Sequence, residues 1–255
     1  MDILGIEISC VLLLSETPEG WYLKSTTEDV IRSCSIYPKR LVPFYLIDPR
    51  FGDGTNETDF SQLLEEYKER GCVGIGEMIA NLEFDDPRCI NLYLQAGKFG
   101  FPVLFDMDNS INGYGLRDEP NLPRLEKALR LCEKTIFIGH GPTFWAEISD
   151  DDEHNGYPKG QVKPGALVSL LRKYDNLRAD LSAYSGFNAI TRDIDFGLEF
   201  LNNFSDKLLF GTDVCLPYEK PKIIDYFQKI MEEKKLTNQK HQQVTRDNAT
   251  VLLGL

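Results

Sequence analysis

The sequence predicts an α/β protein in which parallel strands alternate with helices around a (β/α)8 barrel. Seven short runs of apolar, β-branched and aromatic residues recur along the 255 residues, and each is followed by a turn and a stretch with helical spacing. The runs are nearly continuously apolar, which is typical of strands covered by helices on both faces. Because a closed barrel needs eight strands and about 250 residues, one strand is expected to be missing.

The predicted strands and helices alternate in a regular order along the chain. We expect strands at 9–14, 40–47, 73–78, 102–106, 135–139, 177–181 and 207–212. We expect helices at 60–70, 88–99, 122–132, 167–174, 194–203 and 220–235. No linker composition interrupts this alternation, so residues 1–255 are expected to form a single domain. An open doubly wound sheet is the alternative, but the sequence contains neither a dinucleotide-binding nor a P-loop fingerprint.

The composition disfavours several classes of function. With 28 basic against 40 acidic residues, the net charge is −12, which repels phosphate backbones and anionic lipid surfaces. We therefore expect neither a nucleic acid nor a membrane as partner, but a small-molecule substrate. The first residues lack a basic and apolar leader, so a cytoplasmic location is expected. The 6 cysteines form no Cys-x-x-Cys pair and are expected to be reduced.

Groups able to bind a metal follow four of the predicted strands. Glu77, Asp106, His140 and Asp213 each come at or directly after the end of an apolar run. The C-terminal ends of barrel strands meet at one face, where active sites of this architecture lie. A charged group there must be exposed in a pocket, paired or coordinated. These four residues are the predicted site, whereas Asp180, at the end of another strand, is a secondary candidate.

The loops beyond the strands offer candidate substrate contacts. Residues 141–163 form a long connection that contains Trp145, and long loops on this face commonly act as lids or substrate walls. Together with the 184–192 segment, Trp145 could hold an aromatic or carboxylated substrate, with Tyr184 in the wall and Arg192 as a carboxylate clamp. Ordinary loop packing is the alternative for each of these residues.

Several motifs in one order resemble the amidohydrolase-2 branch of the amidohydrolase superfamily. Their order and spacing carry the resemblance, since each motif alone is weak. They are GIGEM at 74–78, DDPR at 85–88, GFPVLFD at 100–106, FIGHGP at 137–142, NLRADLS at 176–182, LLFGTD at 208–213 and DNATVLLGL at 247–255.

The resemblance implies a distorted TIM barrel and a metal-dependent hydrolase of a small substrate, carboxylated substrates included. A non-oxidative decarboxylase of the same family is the alternative activity. The resemblance also implies that a divalent metal, zinc or manganese, is bound by His140, Asp213, Asp106 and Glu77. Asp213 would act as general base or acid, with His140 as the second catalytic residue.

The sequence departs from the family in two places. The family opens with a strand carrying a His-x-His pair, whereas the first residues here resemble the helix that follows that strand, so it is the strand expected to be missing. Where many members have a histidine, this chain has Asp106, which shifts the site towards oxygen ligands. With only 3 histidines, of which His140 alone ends a strand, a histidine-rich binuclear centre is excluded.

These departures keep two rival hypotheses open. One is a degenerate or truncated barrel without catalysis, and the other is a metal-independent hydrolase of lactone-like substrates, a type that the superfamily also contains. A barrel short of one strand has two unpaired edges, which another segment or a second copy in a homo-oligomer would cover.

Overall fold

The computed structural model of the chain describes residues 1–14, 16–20, 25–110, 113–216 and 218–255. Each predicted strand is found there, in the predicted order and mostly shortened. The strands are β1 (Ser9–Val11), β2 (Leu41–Pro43), β3 (Ile75–Met78), β4 (Val103–Asp106), β5 (Phe137–His140), β6 (Leu177–Asp180) and β7 (Leu208–Leu209).

All strand pairs are parallel and follow the order of the chain. Strands β1 and β2 form one small sheet, and β3 to β7 form a second sheet of 5 strands. A parallel bridge between Tyr45 and Ile75 joins the two sheets. The N–H of Gly76 donates to the carbonyl oxygen of Tyr45 at 2.8 Å at this junction. The C-terminal ends of the strands therefore lie along one rim.

Helices connect the strands, as the alternating pattern predicts. All six predicted helices are confirmed, and the sequence does not predict α1, α5 and α7. Among the described residues, no helix is both long and apolar enough to cross a membrane. The helices are α1 (Thr27–Ile36), α2 (Ser61–Glu69), α3 (Pro87–Phe99), α4 (Pro123–Leu131), α5 (Pro142–Ala146), α6 (Ala166–Lys173), α7 (Ala183–Thr191), α8 (Ile194–Asn203), α9 (Lys222–Glu232), α10 (Asn238–Gln242) and α11 (Asn248–Leu253).

Helix α3 shows how local sequence sets the helix ends. The Asp86 side chain accepts a hydrogen bond from the N–H of Arg88, and Pro87 opens the first turn, where no N–H is needed. The helix ends at Gly100, whose φ of 79° lies in the left-handed region that glycine adopts without steric cost.

Aromatic side chains pack α3 and the segment before it against strands β4 and β5 of the larger sheet. Tyr93 on α3 meets Phe137 on β5 edge to face at 5.0 Å between ring centroids. Phe84, before the helix, meets Phe105 on β4 at 4.7 Å. All of these rings are fully buried, and such pairs stabilise a core beyond their buried area. This packing holds the strand ends that carry Asp106 and His140.

Asp118 organises the start of α4. Its Oδ1 accepts hydrogen bonds from the N–H groups of Glu119 at 2.8 Å and Arg124 at 3.0 Å, and its Oδ2 accepts from Leu125 at 2.8 Å. Burial raises the pKa of this carboxyl group to about 6, against the opposing effect of these hydrogen bonds. The contacts satisfy backbone donors that a helix N-terminus leaves unpaired.

We expect Asp118→Ala to lower the free energy of unfolding by about 2 kcal/mol, because these N–H groups lose their acceptor in a buried place. The control is Asp59→Ala, which removes an exposed carboxylate that accepts from the N–H of Ser61 at 2.9 Å. Its cost should stay below about 0.5 kcal/mol. Urea denaturation of both variants measures the difference, and equal losses would contradict a capping role for Asp118.

Candidate metal and active site

Three of the predicted site residues meet at the rim of the sheet. Glu77 is the next-to-last residue of β3, and Asp106 and His140 are the last residues of β4 and β5. Each offers one ligand atom within 4.8 Å of the others. All three residues are buried, with exposed fractions of 9%, 4% and 6%. Asp106 and His140 are direct partners in the β4–β5 register, so the parallel pairing itself brings the carboxylate and the imidazole together.

A second layer of polar groups fixes the imidazole of His140. Its Nδ1 donates to Oδ2 of Asp180 at 2.9 Å and lies 3.2 Å from Oγ of Ser182. The N–H of Ser182 donates to Oδ1 of Asp180 at 3.2 Å. With Nδ1 occupied in this way, Nε2 remains as the nitrogen available to a metal. A histidine held by a carboxylate through its other nitrogen is the usual support of a metal ligand.

Burial and mutual charge shift the pKa values of the cluster. Burial, together with the charges of Asp106 and Asp213, raises the pKa of Glu77 to about 8, although His140 opposes the shift. Burial likewise raises the pKa of Asp106 to about 7. For His140, burial lowers the pKa, but the hydrogen bond to Asp180 and the nearby carboxylates outweigh it and raise the pKa to about 10. The cluster therefore binds protons strongly when it holds no metal.

The surroundings of Asp106 fit a bound cation. Its Oδ1 is buried and has no hydrogen-bond partner among the described residues, and such an atom is costly to leave unsatisfied. A Cβ placed on Gly115 would collide with Oδ1, and one on Gly141 would lie 2.9 Å from Oδ2. Two carboxylates and an imidazole at this spacing match the ligands of zinc or manganese, whose bonds are about 2.0–2.2 Å long.

Asp213 lies apart from this cluster, which does not include it. It follows β7 in an exposed position, and its φ of 51° is one that aspartate tolerates better than most residues. Although the residue as a whole is exposed, the surrounding protein partly desolvates its carboxyl group, and this desolvation and the charge of Asp180 raise its pKa, whereas the charge of His140 lowers it. Asp213 thus interacts electrostatically with His140 and Glu77 without belonging to the cluster.

The three predicted substrate contacts lie in different surroundings. Trp145 is 2% exposed, and its Nε1 donates to the carbonyl oxygen of Asp180 at 2.9 Å. It therefore supports the end of β6 from inside the protein. Tyr184 is 52% exposed at the start of α7 and meets Tyr157 at 5.0 Å between ring centroids. The Arg192 side chain is only 3% exposed and is paired with Asp151 at 3.1 Å.

The sequence does not single out Ser182, which lies beside the imidazole of His140. Ser182 stands two residues beyond Asp180, and this spacing is the signal that could have identified it. Tyr157 is expected only as one of the aromatic residues of the 141–163 connection. Asn155, two residues earlier, is held in place by Thr143, whose Oγ1 donates to Oδ1 of Asn155 at 2.7 Å.

Comparison with solved structures identifies the architecture. An uncharacterized TIM-barrel protein of Bordetella bronchiseptica matches with a TM-score of 0.69 and 16% identity, over 100% of this chain and 80% of that one. The chain has the TIM-barrel fold. The predicted distorted barrel, and the resemblance to the amidohydrolase-2 branch that implied it, are thus confirmed at the level of the fold.

Two solved enzymes share this fold. A probable 2-pyrone-4,6-dicarboxylic acid hydrolase of Acinetobacter baumannii matches with a TM-score of 0.60 and 14% identity, over 100% of this chain and 86% of that one. A dihydroxybenzoic acid decarboxylase of a Polaromonas species, with bound manganese, matches with a TM-score of 0.52 and 15% identity, over 90% and 74%. No protein family profile and no curated protein matches the sequence.

Proposed function

We propose that this TIM barrel is a metal-dependent hydrolase of the amidohydrolase type that acts on a small molecule. The observation that carries the proposal is the buried cluster of Glu77, Asp106 and His140 at the C-terminal ends of adjacent parallel strands. This is the face where barrel enzymes place their chemistry. Oδ1 of Asp106 is buried and has no hydrogen-bond partner among the described residues, and a bound cation would satisfy it.

Each group has a distinct role in the proposed reaction. Glu77, Asp106 and Nε2 of His140 would hold a divalent ion, which supplies Lewis-acid chemistry that polarises a carbonyl group and acidifies water. Asp180 and Ser182 keep the imidazole of His140 in its orientation. Asp213 takes up the proton from the attacking water and returns it to the leaving group.

A decarboxylase is the second candidate, and the manganese-containing decarboxylase among the structures of the same fold favours it. Both activities would use the same carboxylates and imidazole. They differ in their products, because decarboxylation releases carbon dioxide from a carboxylated substrate whereas hydrolysis consumes water.

The test combines metal content with turnover. The protein is dialysed against manganese or zinc, the bound metal is measured by mass spectrometry, and a panel of amides, lactones and hydroxybenzoates is assayed for hydrolysis and carbon dioxide release. We expect one ion per chain and turnover that chelation abolishes. Turnover that survives chelation would indicate a metal-independent hydrolase, and absence of both metal and turnover would indicate a non-catalytic barrel.

The matched variants for this test are Glu77→Gln and Glu69→Gln. Both remove one carboxylate charge, but Glu69 is exposed at the end of α2. We expect Glu77→Gln to lose metal and turnover and Glu69→Gln to keep both. If Glu77→Gln retained its metal, the buried cluster would not be the metal site.

We expect Asp180→Asn to weaken metal binding by about 10-fold to 100-fold, because a neutral amide holds the imidazole of His140 less firmly in the metal-binding orientation. Titration against a coloured chelator measures the affinity. The control is Asp175→Asn, on an exposed side chain just before β6, which should leave the affinity unchanged. Equal metal affinities in the two variants would show that Asp180 does not hold the imidazole of His140 for metal binding.

A further inference from the structure

The polar groups at the rim are predominantly acidic. Within the described ranges, no lysine or arginine forms an ion pair or hydrogen bond with the carboxylates of the site, and the basic side chain beside them is the imidazole of His140. Further out, Glu219 accepts from the N–H groups of Cys215 at 3.2 Å and Leu216 at 3.3 Å, beside Asp213. The carboxyl groups of the site and its rim are Glu77, Asp106, Asp108, Asp180, Asp213 and Glu219.

Two arginines in the loops beyond the strands are already paired with carboxylates. Arg50, after β2, donates to Asp48 at 2.6 Å and to Glu19 at 2.7 Å through Nη2. Arg192 is paired with Asp151 through Nη2, and its side chain is only 3% exposed, while its Nε and Nη1 have no hydrogen-bond partner among the described residues. A substrate carboxylate would have to displace Asp48 and Glu19 to bind Arg50, and would have to enter the protein interior to bind Arg192, so neither arginine is a ready clamp for an anion.

Two half-exposed tyrosines stand beside this acidic rim. Tyr157 is 50% exposed and Tyr184 is 52% exposed, and their rings contact each other edge to face. The segment with Tyr157 is held by Asn155, whose Nδ2 donates to Oδ1 of Asp108 at 3.4 Å. Burial and the charges of Asp108 and Asp106 raise the pKa of Tyr157, which places its hydroxyl group within electrostatic reach of the site.

A cation already lies on this aromatic pair. Nζ of Lys222, at the start of α9, lies 6.0 Å from the centroid of the Tyr184 ring. That distance is at the outer limit of a cation–π contact, in which the negative face of the ring attracts a positive group. The Tyr184 face is thus compatible with an ammonium group, and the contact with exposed Lys222 is one that a ligand could replace.

We propose that the site selects a small substrate that carries a positive charge, an ammonium, amidinium or guanidinium group, and disfavours a carboxylated substrate. The charged group lies against the ring of Tyr184 and faces the acidic rim, while the bond to be hydrolysed points towards Asp213 and the buried cluster. This inference rests on the proposed hydrolase and names its substrate class. The net charge of −12 also attracts cations to the molecule as a whole.

Three probes of nearly the same size and shape test the inference: benzamidine is cationic, benzamide is neutral and benzoate is anionic. Their affinities for the full chain are measured by calorimetry, with and without manganese. We expect benzamidine to bind at least about 10-fold more tightly than benzoate, with benzamide between them, in both forms. Tighter binding of benzoate, or equal binding of all three, would overturn the proposal.

Variants of the aromatic pair locate the binding place. Tyr184→Ala should weaken the binding of benzamidine about 3-fold to 10-fold and the binding of benzamide far less. Tyr184→Phe keeps the ring and should change neither affinity by more than about 2-fold. Lys222→Ala should strengthen the binding of benzamidine, because it removes the ammonium group that competes for the Tyr184 ring. Unchanged benzamidine affinity in both Tyr184→Ala and Lys222→Ala would overturn the assignment.

This experiment separates the two proposals because probe binding requires no turnover. If benzoate binds best while metal and hydrolysis are found, the substrate class is wrong and the hydrolase stands. If benzamidine binds best through Tyr184 but neither metal nor hydrolysis is found, the hydrolase is wrong and the preference for cations stands.

Discussion

Asp213→Asn is expected to lower kcat about 10³-fold while the protein keeps its metal. The carboxylate follows β7 by four residues and interacts electrostatically with the buried cluster without belonging to it, and the amide that replaces it cannot accept or return a proton. Loss of a general acid–base group typically costs about 10² to 10⁴ in rate. The measurement is turnover of the best substrate from the panel, together with the metal content of the same sample.

The matched control is Asp108→Asn, which removes a carboxylate charge from the same rim. Asp108 is engaged in a turn, where its Oδ1 accepts from the N–H of Ser110 at 2.9 Å, and asparagine can keep that bond. We expect kcat within about 3-fold of the parent protein, because loss of this rim charge would affect the binding of a cationic substrate, and hence KM, but not proton transfer. If Asp213→Asn lost its metal together with its turnover, Asp213 would be a ligand, as the family resemblance implied. Full turnover in Asp213→Asn would show that Asp213 has no catalytic role.

The sequence predicted the strand ends of the site because two simple constraints act there. An apolar run that ends in a carboxylate or imidazole carries a charged group to the edge of the core, as at Glu77, Asp106 and His140. Parallel strands then place those ends at one rim. The β4–β5 register confirms this reasoning, since Asp106 and His140 are direct partners. Neither constraint depends on the details of side-chain packing.

The sequence patterns do not predict contacts between segments that are far apart in the chain. Arg192 lies in a stretch that was predicted as a substrate loop, but its guanidinium is buried against Asp151, 41 positions away in sequence. Asn155, two residues before Tyr157, is hydrogen-bonded to Thr143 and Asp108, which are 12 and 47 positions away in sequence. Such placements follow from how a long connection folds back on the barrel, and neither periodicity nor strand order specifies that path.

Helix α1 shows a local signal that was present but not used. Thr26 and Asp29 form a capping box, in which the side chain of each accepts from the N–H of the other. Its buried side chains are only Thr27, Val30 and Cys34, so the apolar spacing is weak. Hydrophobic periodicity therefore failed where capping chemistry would have succeeded.

Metal affinity is expected to rise by at least about 10-fold for each unit of pH between about pH 6 and about pH 8. In the metal-free protein the pKa values of Glu77, Asp106 and His140 are raised to about 8, about 7 and about 10, so protons occupy the ligand atoms at neutral pH. A metal must displace these protons. Calorimetry in buffers of different ionisation enthalpy measures the number released. Affinity independent of pH would contradict the assignment of these ligands.

The same shifts predict that the metal-free protein loses stability as the pH rises. A group whose pKa is higher in the folded than in the unfolded state stabilises the fold fully below its unfolded pKa, and this contribution is lost as the pH passes its folded pKa. For Glu77 these values are 4.5 and about 8. We therefore expect Tm to fall between about pH 4.5 and about pH 8, and to fall less in Glu77→Gln, which has no proton to lose. Saturation with metal should reverse this fall of Tm with pH. The metal binds the folded state, and its stabilising effect grows as the metal affinity rises with pH.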